Sequence, residues 1–250
     1  MKKLADSLIN RRSIRRYERQ QIGDDDMRLI YEAIRNTPTS YNGQQFSVID
    51  ITDQNLKLQL EALTGQKQIK TCSHFMMFCA DYHKIAILAD RKELEMPEFQ
   101  MTVDGVLVSV IDASLAMMSA VAAATSIGLG TCCIGYARTA APAEIARLLK
   151  LPKGVFAVCG LSIGVPREMP DLKPKQPLQL VIHQNTYQTD DELLLSLLEA
   201  YDKVISYYNA TREGTKTDND WCNHILSYYR EAMNYRMLDA LRARGFDVRY

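Results

Sequence analysis

Apolar and polar residues alternate along the first two thirds of the chain in a way that predicts helices and strands in turn. Apolar residues at helical spacing predict a helix at 24–37, which ends before Pro38, and another at 142–149. Four apolar runs have the length of strands: 46–52, 75–80, 131–134 and 155–163. A helix carrying Leu56, Leu60 and Leu63 on one face connects the first two runs. Strands that alternate with helices predict an α/β or α+β sheet covered by helices.

The segment 106–128 is apolar for most of its length and approaches the roughly 20 residues that span a membrane. Asp112 interrupts it, and an aspartate in mid-span costs about 2.5 to 3.5 kcal/mol on insertion scales. The remaining residues are Ala, Ser, Met and Thr rather than a dense Leu/Ile run. We therefore predict no membrane association, but a central helix at or near a dimer contact, ended by Gly128 and Gly130.

The composition changes after Pro166, where three further prolines occur in a lysine-containing stretch that cannot continue a helix or a central strand. Beyond this connector, 191–209 and 219–244 are helical in pattern, and the polar run TREGTKTDND separates them. We predict a core at 1–170 and, at 171–250, a connector and helical extension of the same domain. This extension is expected to pack on a dimer partner.

Charge excludes two classes of partner. Thirty basic residues balance thirty acidic ones, so no overall positive field would hold a nucleic acid or an anionic membrane. The chain's beginning has basic residues but no uninterrupted apolar stretch and no small-residue cleavage site, which favours the cytoplasm. With 47% hydrophobic residues, a globular protein is expected.

Cysteine and histidine spacing gives no sign of a metal site. No two of the six cysteines are separated by the two-residue gap common in zinc and dithiol redox sites, and the four histidines are scattered singly. We predict free, mostly buried thiols and no bound metal.

A cluster of arginines lies near the beginning of the chain. Residues 1–20 hold seven basic and two acidic residues in a chain of zero net charge, and Arg11, Arg12, Arg15 and Arg16 surround Ser13. A solvated basic face or a nucleic-acid patch is the ordinary interpretation of such a run. However, alternation lets one set of side chains point inward, and arginine suits bidentate contact with phosphate.

The Arg-x-Ser-x-Arg element resembles one that follows the first helix in the nitroreductase family. The resemblance is closest to the larger NADPH-dependent, oxygen-insensitive nitroreductases and flavin reductases. It continues, in order, through PTSYNGQ at 38–44, TGQK at 64–67, FCAD at 78–81, GLG at 128–130, Ile134-Gly135, GVP at 164–166 and PDLKPK at 170–175. It implies an α+β nitroreductase-like fold, with a mixed central sheet covered by helices and an extended C-terminal helical arm. It also implies FMN as the cofactor, while the apolar helix and the long C-terminal tail predict a homodimer.

The resemblance assigns roles to individual residues around FMN. Arg11, Arg12 and Ser13 would hold the phosphate, and Arg15 would approach the pyrimidine edge of the flavin, where a cation favours reduction. The remaining implied contacts come from Thr39, Ser40, Asn42, Gln66, Ile134 and Gly135. Without the resemblance, these residues also have ordinary interpretations. Asn42 fits an Asn-Gly turn, Gln66 a surface glutamine at a helix start and Gly135 a glycine after a strand.

Four cationic residues of the C-terminal part have implied roles. Lys173 and Lys175 would complete the phosphate site, although solvated lysines explain them without the family context. Arg212, together with Lys216, would bind the 2′-phosphate of NADPH. Relatives carry further arginines where this chain has Lys216, Asp218 and Asp220, so the preference for NADPH over NADH is expected to be modest.

The resemblance implies an NAD(P)H oxidoreductase that reduces nitroaromatics, quinones or free flavin in two hydride-transfer steps through FMN. No acid, base or nucleophile stands out, and we name no catalytic side chain, because the chemistry belongs to the cofactor. Two alternatives stay open. One is a flavin-dependent reductive dehalogenase on the same fold, and the other is a non-enzymatic module that binds flavin or nucleic acid through the arginines.

Overall fold

The computed structural model describes residues 2–249, which form two compact units. The first contains the residues up to Met169 together with those from Arg236 onward. The second is Pro170–Tyr235. The segment from Arg236, which the sequence analysis placed in the C-terminal extension, thus has its contacts in the first unit.

Four strands form one sheet in the order β1-β2-β4-β3. Their bounds are β1 Phe46–Ile51, β2 His74–Asp81, β3 Gly130–Ile134 and β4 Val155–Gly164. All three strand pairings are antiparallel. Outside these strands, an isolated parallel bridge joins Ser13 to Thr131 of β3. The predicted α+β class is confirmed.

Eleven α-helices occur among the described residues. They are α1 Lys2–Ile9, α2 Asp24–Arg35, α3 Gln54–Thr64, α4 Gln68–Thr71, α5 His83–Arg91, α6 Val103–Ser126, α7 Tyr136–Thr139, α8 Pro142–Leu148, α9 Asp191–Thr211, α10 Trp221–Ala232 and α11 Met237–Ala243. The helix predicted at 24–37 is confirmed as α2, which begins with three acids that favour a helix N-terminus. The start of α3 is capped by Asp53, whose carboxylate accepts the N–H of Leu56 at 2.8 Å.

The sheet separates two hydrophobic cores. One core lies between the sheet and helices α2 and α6, and it contains Met76 and Phe78 from β2. The other contains Phe75 and Met77 from the same strand, together with residues of α3, α4 and α8. Seven of the eight residues of β2 are buried, because helices cover both faces of this strand.

Helix α6 extends three residues further toward the N-terminus than the apolar run suggests. Thr102 caps it by accepting the N–H of Gly105 at 2.9 Å. Among the described residues, α6 is the helix that by length and composition could cross a membrane. One of its faces packs in the core through residues such as Ala113, Ala116 and Ala120, each fully buried. Its opposite face stays exposed.

The predicted helix at 219–244 is wrong as a continuous element. Helix α10 ends at Ala232, and α11 begins at Met237. Asn234 and Tyr235 close a turn by donating to the carbonyls of Glu231 and Ala232. Phe246, just after α11, is fully buried against the rings of Tyr82 and Phe156. Burying this aromatic ring favours a turn over a continued helix.

Candidate functional site

The clustered arginines lie in an extended stretch beside β3, residues 11–17, which we call the arginine segment. Ser13 forms the bridge with Thr131, and the N–H of Ile14 donates to the Thr131 carbonyl at 2.9 Å. The side chains that point inward are Ile14 and Tyr17, both buried, whereas Arg15 is exposed. The segment thus buries its two apolar side chains and keeps Arg15 and Arg16 exposed, whereas Arg11 and Arg12 are half-buried.

Tyr17 anchors this segment to the sheet. Its hydroxyl donates to the Ile14 carbonyl at 2.6 Å and lies 2.8 Å from the Ser162 hydroxyl. Burial raises the pKa of Tyr17 above its ordinary value, and the hydrogen bond with Ser162 offsets part of that rise. The hydroxyl therefore stays protonated and keeps its role as a donor.

Glu168 also shapes the segment, although the sequence analysis did not single it out. One carboxylate oxygen accepts the backbone N–H of Arg15 at 2.7 Å and that of Arg16 at 3.1 Å. The other forms an ion pair with the Arg16 side chain at 3.7 Å. Glu168 thereby fixes the backbone from which Arg15 extends.

Residues of the arginine segment and the predicted cofactor contact Gln66 both lie near Cys132 of β3. Burial raises the pKa of the Cys132 thiol, and the guanidinium groups of Arg15 and Arg11 lower it in part. The Gln68 amide lies 4.0 Å from the Cys132 sulfur and donates to Oε1 of Gln66 at 2.9 Å. The structure therefore brings Arg11, Arg15 and Gln66 to one region beside β3.

Two of the open pockets formed by the described residues are lined by arginines of this segment. The larger has a volume of about 560 Å³, and its lining includes Arg15, Arg16, Gly65, Lys67 and Gln68. The smaller has a volume of about 250 Å³, and its lining includes Arg11, Arg12, Thr125, Gly130 and Thr131. Both pockets are rich in positive charge and suit an anionic ligand.

Two buried polar atoms beside the smaller pocket lack a hydrogen-bond partner. They are Nε of Arg12 and Oγ1 of Thr131. The Arg12 guanidinium makes one hydrogen bond, from Nη1 to the Asn10 carbonyl at 3.0 Å. A buried donor without an acceptor is costly, so this arrangement fits a ligand that supplies the missing acceptor.

The loop that contains Thr39, Ser40 and Asn42 lies at the other edge of the sheet. It leads into β1, and Ser40–Asn42 forms a short 3-10 turn. The carboxylate of Asp112, on α6, accepts the N–H of Ser40 at 3.0 Å and that of Gln45 at 3.3 Å. Within the loop, the Thr39 hydroxyl accepts the N–H of Gln44 at 3.2 Å.

One copy of the chain does not bring this loop to the arginine segment. β1 and β3 are the two edges of the sheet, three strand spacings or roughly 14 Å apart. Helix α6 indicates a similar separation between the loop and the arginine segment. Asp112 of this helix contacts the loop, and Thr125 of the same helix lines the pocket that contains Arg12. Thirteen residues of helix between them correspond to about 20 Å.

Ile134 and Gly135 lie at the end of β3, the edge strand beside which the arginine segment runs. Ile134 is buried, and Gly135 is exposed just before α7. A Cβ atom added to Gly135 would meet no protein atom within 4 Å, and its φ of −68° suits any residue. Neither packing nor backbone conformation within the chain thus requires glycine here.

The remaining predicted residues belong to the second unit. Lys173, Lys175 and Lys216 are exposed. Arg212, at the end of α9, donates from Nε to the Thr215 carbonyl at 2.8 Å, and its guanidinium lies 5.8 Å from the centre of the Tyr208 ring. Roles for these four residues in binding phosphate or NADPH stay predictions.

Asp220 has a structural task of its own. Its carboxylate caps α10, accepting the backbone N–H of Asn223 at 2.7 Å and the side-chain amide of the same residue at 2.8 Å. Asp220 stands at a position where relatives carry an arginine, and it was one reason to expect a modest preference for NADPH. The cap instead commits this carboxylate to a helix N-terminus, where negative charge is favoured.

Comparison with known proteins assigns the chain to a family. The model of the nitroreductase family matches residues 8–165, and that of the nitroreductase family C-terminal domain matches residues 173–249. An FMN reductase [NAD(P)H] of Bacillus subtilis is 38% identical, with 99% of each chain covered. An oxygen-insensitive NADPH nitroreductase of Salmonella typhimurium is 34% identical, with 97% of each chain covered.

A solved structure gives the same result. The hypothetical oxidoreductase YcnD from Bacillus subtilis is 37% identical and superimposes with a TM-score of 0.94 over 100% of both chains. The family models together match both parts of the chain, and the fold agrees over its whole length. The chain therefore belongs to the nitroreductase family.

Proposed function

We propose that this chain is an FMN-dependent NAD(P)H oxidoreductase that reduces nitroaromatics, quinones or free flavin. The observation that carries the proposal is the buried, unpaired Nε of Arg12 beside an arginine segment at the edge of the sheet. Relatives that match nearly the whole chain are an FMN reductase and an NADPH nitroreductase, and they support the same chemistry.

The phosphate of FMN fits the pocket beside β3. A phosphate oxygen would give the Arg12 Nε its missing acceptor, and a charge-assisted hydrogen bond of this kind is among the stronger ones. Arg11 and Ser13 lie next to it along the chain. Thr131 lies opposite Ser13 in the β-bridge, and its hydroxyl has no hydrogen-bond partner. This hydroxyl is a further donor for the same phosphate.

The flavin ring fits the larger pocket and the end of β3. Arg15 lines this pocket, and a fixed cation there stabilises the negative charge that a flavin gains on reduction. Gln66, with its Oε1 engaged by Gln68, presents its amide nitrogen as a donor. The open space at Gly135 allows a flat ring to approach the backbone closely.

The site is completed by a second copy of the chain. Thr39, Ser40 and Asn42 cannot reach the arginine segment of their own chain, because the sheet lies between them. We therefore assign these three residues to the flavin held by the arginines of the partner. Two equivalent sites per homodimer follow from this exchange.

The exposed face of α6 supplies the surface for such a dimer. Five large apolar side chains lie along it, each between 41% and 52% exposed: Val103, Leu107, Ile111, Leu115 and Met118. They recur every three or four residues and so form a continuous stripe. A stripe of this length on a soluble protein marks an interface. Ala116 and Ala120 belong to the core instead, and charged replacements there would test folding rather than dimerisation.

The chain's own residues bind and orient, while FMN supplies the hydride chemistry when it is bound. Lys173 and Lys175 are proposed to add charge at the phosphate. Arg212 and Lys216 are proposed to recognise the 2′-phosphate of NADPH. No side chain is assigned as a catalytic acid, base or nucleophile. We place the enzyme in the cytoplasm.

An absorbance spectrum of the purified protein, followed by an acceptor panel, tests this function. We expect a yellow protein that releases FMN on acid precipitation and oxidises NADPH with nitroaromatic, quinone or flavin acceptors. Bound FAD, or a flavin that stays with the denatured protein, contradicts the cofactor assignment. A preparation that turns over halotyrosine but none of the other acceptors supports the dehalogenase instead.

A further inference from the structure

Asp112 is a buried carboxylate that the function proposed above does not use. It lies near the middle of α6 and is fully buried. Its Oδ1 accepts the N–H of Ser40, and its Oδ2 accepts the N–H of Gln45. None of the ion pairs formed by the described residues includes it. These two backbone amides are thus its hydrogen-bond partners.

The loop between these two amides has an unfavourable backbone. Tyr41, Asn42 and Gln44 have φ values of 57°, 52° and 52°, in the left-handed region where a Cβ atom crowds the backbone. Asparagine tolerates this conformation better than the other two residues. Three such residues within four positions persist only when the surroundings hold them in place.

The other hydrogen bonds of the loop are mostly local. Gly43 donates to the Ser40 carbonyl at 2.8 Å, and Gln44 donates to Thr39. The carbonyl of Gln44 accepts from the Lys84 side chain, which is exposed. Asp112, by contrast, accepts a backbone N–H at each end of the loop, and it lies on a helix about seventy residues away in sequence. It is therefore the contact best placed to fix the loop's shape.

We propose that Asp112 is a positioning residue for the flavin site: its carboxylate holds residues 40–45 in the strained conformation in which Ser40 and Asn42 reach the cofactor. This inference rests on the proposed function. Its physical basis is preorganisation, because a loop that is already ordered loses less entropy on binding. The two ends of the loop cannot shift independently while one carboxylate accepts both amides.

The position of Asp112 on α6 extends the inference to the dimer. The neighbouring residue Ile111 belongs to the exposed apolar stripe, whereas Asp112 points into the core. One helix thus carries both the proposed interface and the support of the loop. The loop is thereby held at a fixed place relative to the surface through which it would meet the partner's flavin.

Replacement of Asp112 by Asn is the sharpest probe. An Asn side chain has nearly the same shape but offers one acceptor oxygen, and its NH₂ group would face the second backbone N–H. We expect amide exchange at Ser40 or Gln45 in the apoprotein to accelerate at least about tenfold. A backbone hydrogen bond to a charged group corresponds to about tenfold to a hundredfold in affinity, so the Kd for FMN should rise by that factor.

Asp53→Ala is the stability control. Asp53 also accepts a backbone N–H, but at the start of α3. It should lower stability as the loss of a helix cap does, while leaving the Kd for FMN within about twofold. This control separates a positioning role from general destabilisation.

The outcomes distinguish this inference from the proposed function. If wild-type protein binds FMN and folded Asp112→Asn protein binds it within twofold as tightly, the positioning role is wrong and the proposed function stands. Unchanged exchange at both amides in that variant also overturns the positioning role. A wild-type protein that binds no FMN overturns both.

Discussion

Replacing Arg12 with methionine should have opposite effects on the free and the FMN-bound protein. Methionine keeps an unbranched apolar stem and removes the unpaired Nε. Relief of a buried donor without a partner contributes about 1 to 3 kcal/mol, whereas the lost hydrogen bond to Asn10 costs about 0.5 to 1.5 kcal/mol. The free energy of unfolding of the apoprotein is thus expected to rise by about 1 kcal/mol.

FMN binding should weaken in the same variant. Loss of a hydrogen bond between Arg12 and the phosphate removes about 1.5 to 3 kcal/mol of binding free energy. This corresponds to a Kd about ten to 150 times higher. The combination of a more stable apoprotein and a weaker complex is expected only where a side chain is strained without its ligand.

Two measurements on the same preparations check this prediction: denaturant unfolding of the flavin-free protein, and titration with FMN followed by the quenching of its fluorescence. Arg147→Met is the control, because the Arg147 side chain is 76% exposed and its ion pair with Glu144 lies on the surface of α8, outside both pockets. It should change stability by less than about 1 kcal/mol and leave the Kd for FMN within about twofold. An Arg12→Met protein that is less stable and binds FMN like wild type refutes the reasoning.

Three further predictions follow from the proposed site. Arg15→Ala should lower the midpoint potential of the bound flavin, while Arg11→Ala should mainly weaken flavin retention; an unchanged potential in fully loaded Arg15→Ala protein removes the charge-stabilisation role. Arg212→Ala should lower kcat/KM for NADPH about tenfold to a hundredfold and affect NADH much less, and equal effects on both would count against this assignment. Leu107→Asp should raise the dimer dissociation constant at least about thirtyfold in sedimentation, because the half-exposed Leu107 of each subunit contributes about 1 kcal/mol to the dimer. The control Leu58→Asp, on α3, should leave this constant unchanged.

The sequence predicted the local elements well, because periodicity reports which side of a helix or strand is buried. The helix at 24–37 and the four strands appear within a few residues of their expected bounds. The order of the strands is a different matter. Nothing in the spacing of apolar residues tells that β1 and β3 occupy opposite edges, so the separation of Ser40 from the arginine segment emerged only from the pairing.

Buried polar residues were the hardest to interpret. Asp112 read as an interruption in an apolar run, and its two partners lie about seventy residues earlier in the chain. Glu168 lies two residues after Pro166 in a polar stretch, where the sequence does not distinguish a structural carboxylate from a solvated one. A signal existed for Asp112, since a lone acid in a buried helix requires hydrogen-bond donors, but the sequence could not say which ones.

The central claim is that each flavin site takes its arginines from one subunit and its loop from the other. Mixed dimers test it most directly. One subunit would carry Arg11→Ala and Arg15→Ala, and its partner would carry Thr39→Ala and Asn42→Ala. If the loop serves the partner's arginines, one site receives all four substitutions and the other receives none.

The readout is the number of FMN molecules bound per mixed dimer at concentrations where both parent homodimers stay largely empty. The proposed arrangement predicts one FMN per mixed dimer, held with wild-type affinity. If the loop and the arginines of the same chain formed each site, both sites would be impaired. A mixed dimer that binds FMN no better than its parents would therefore contradict the shared site.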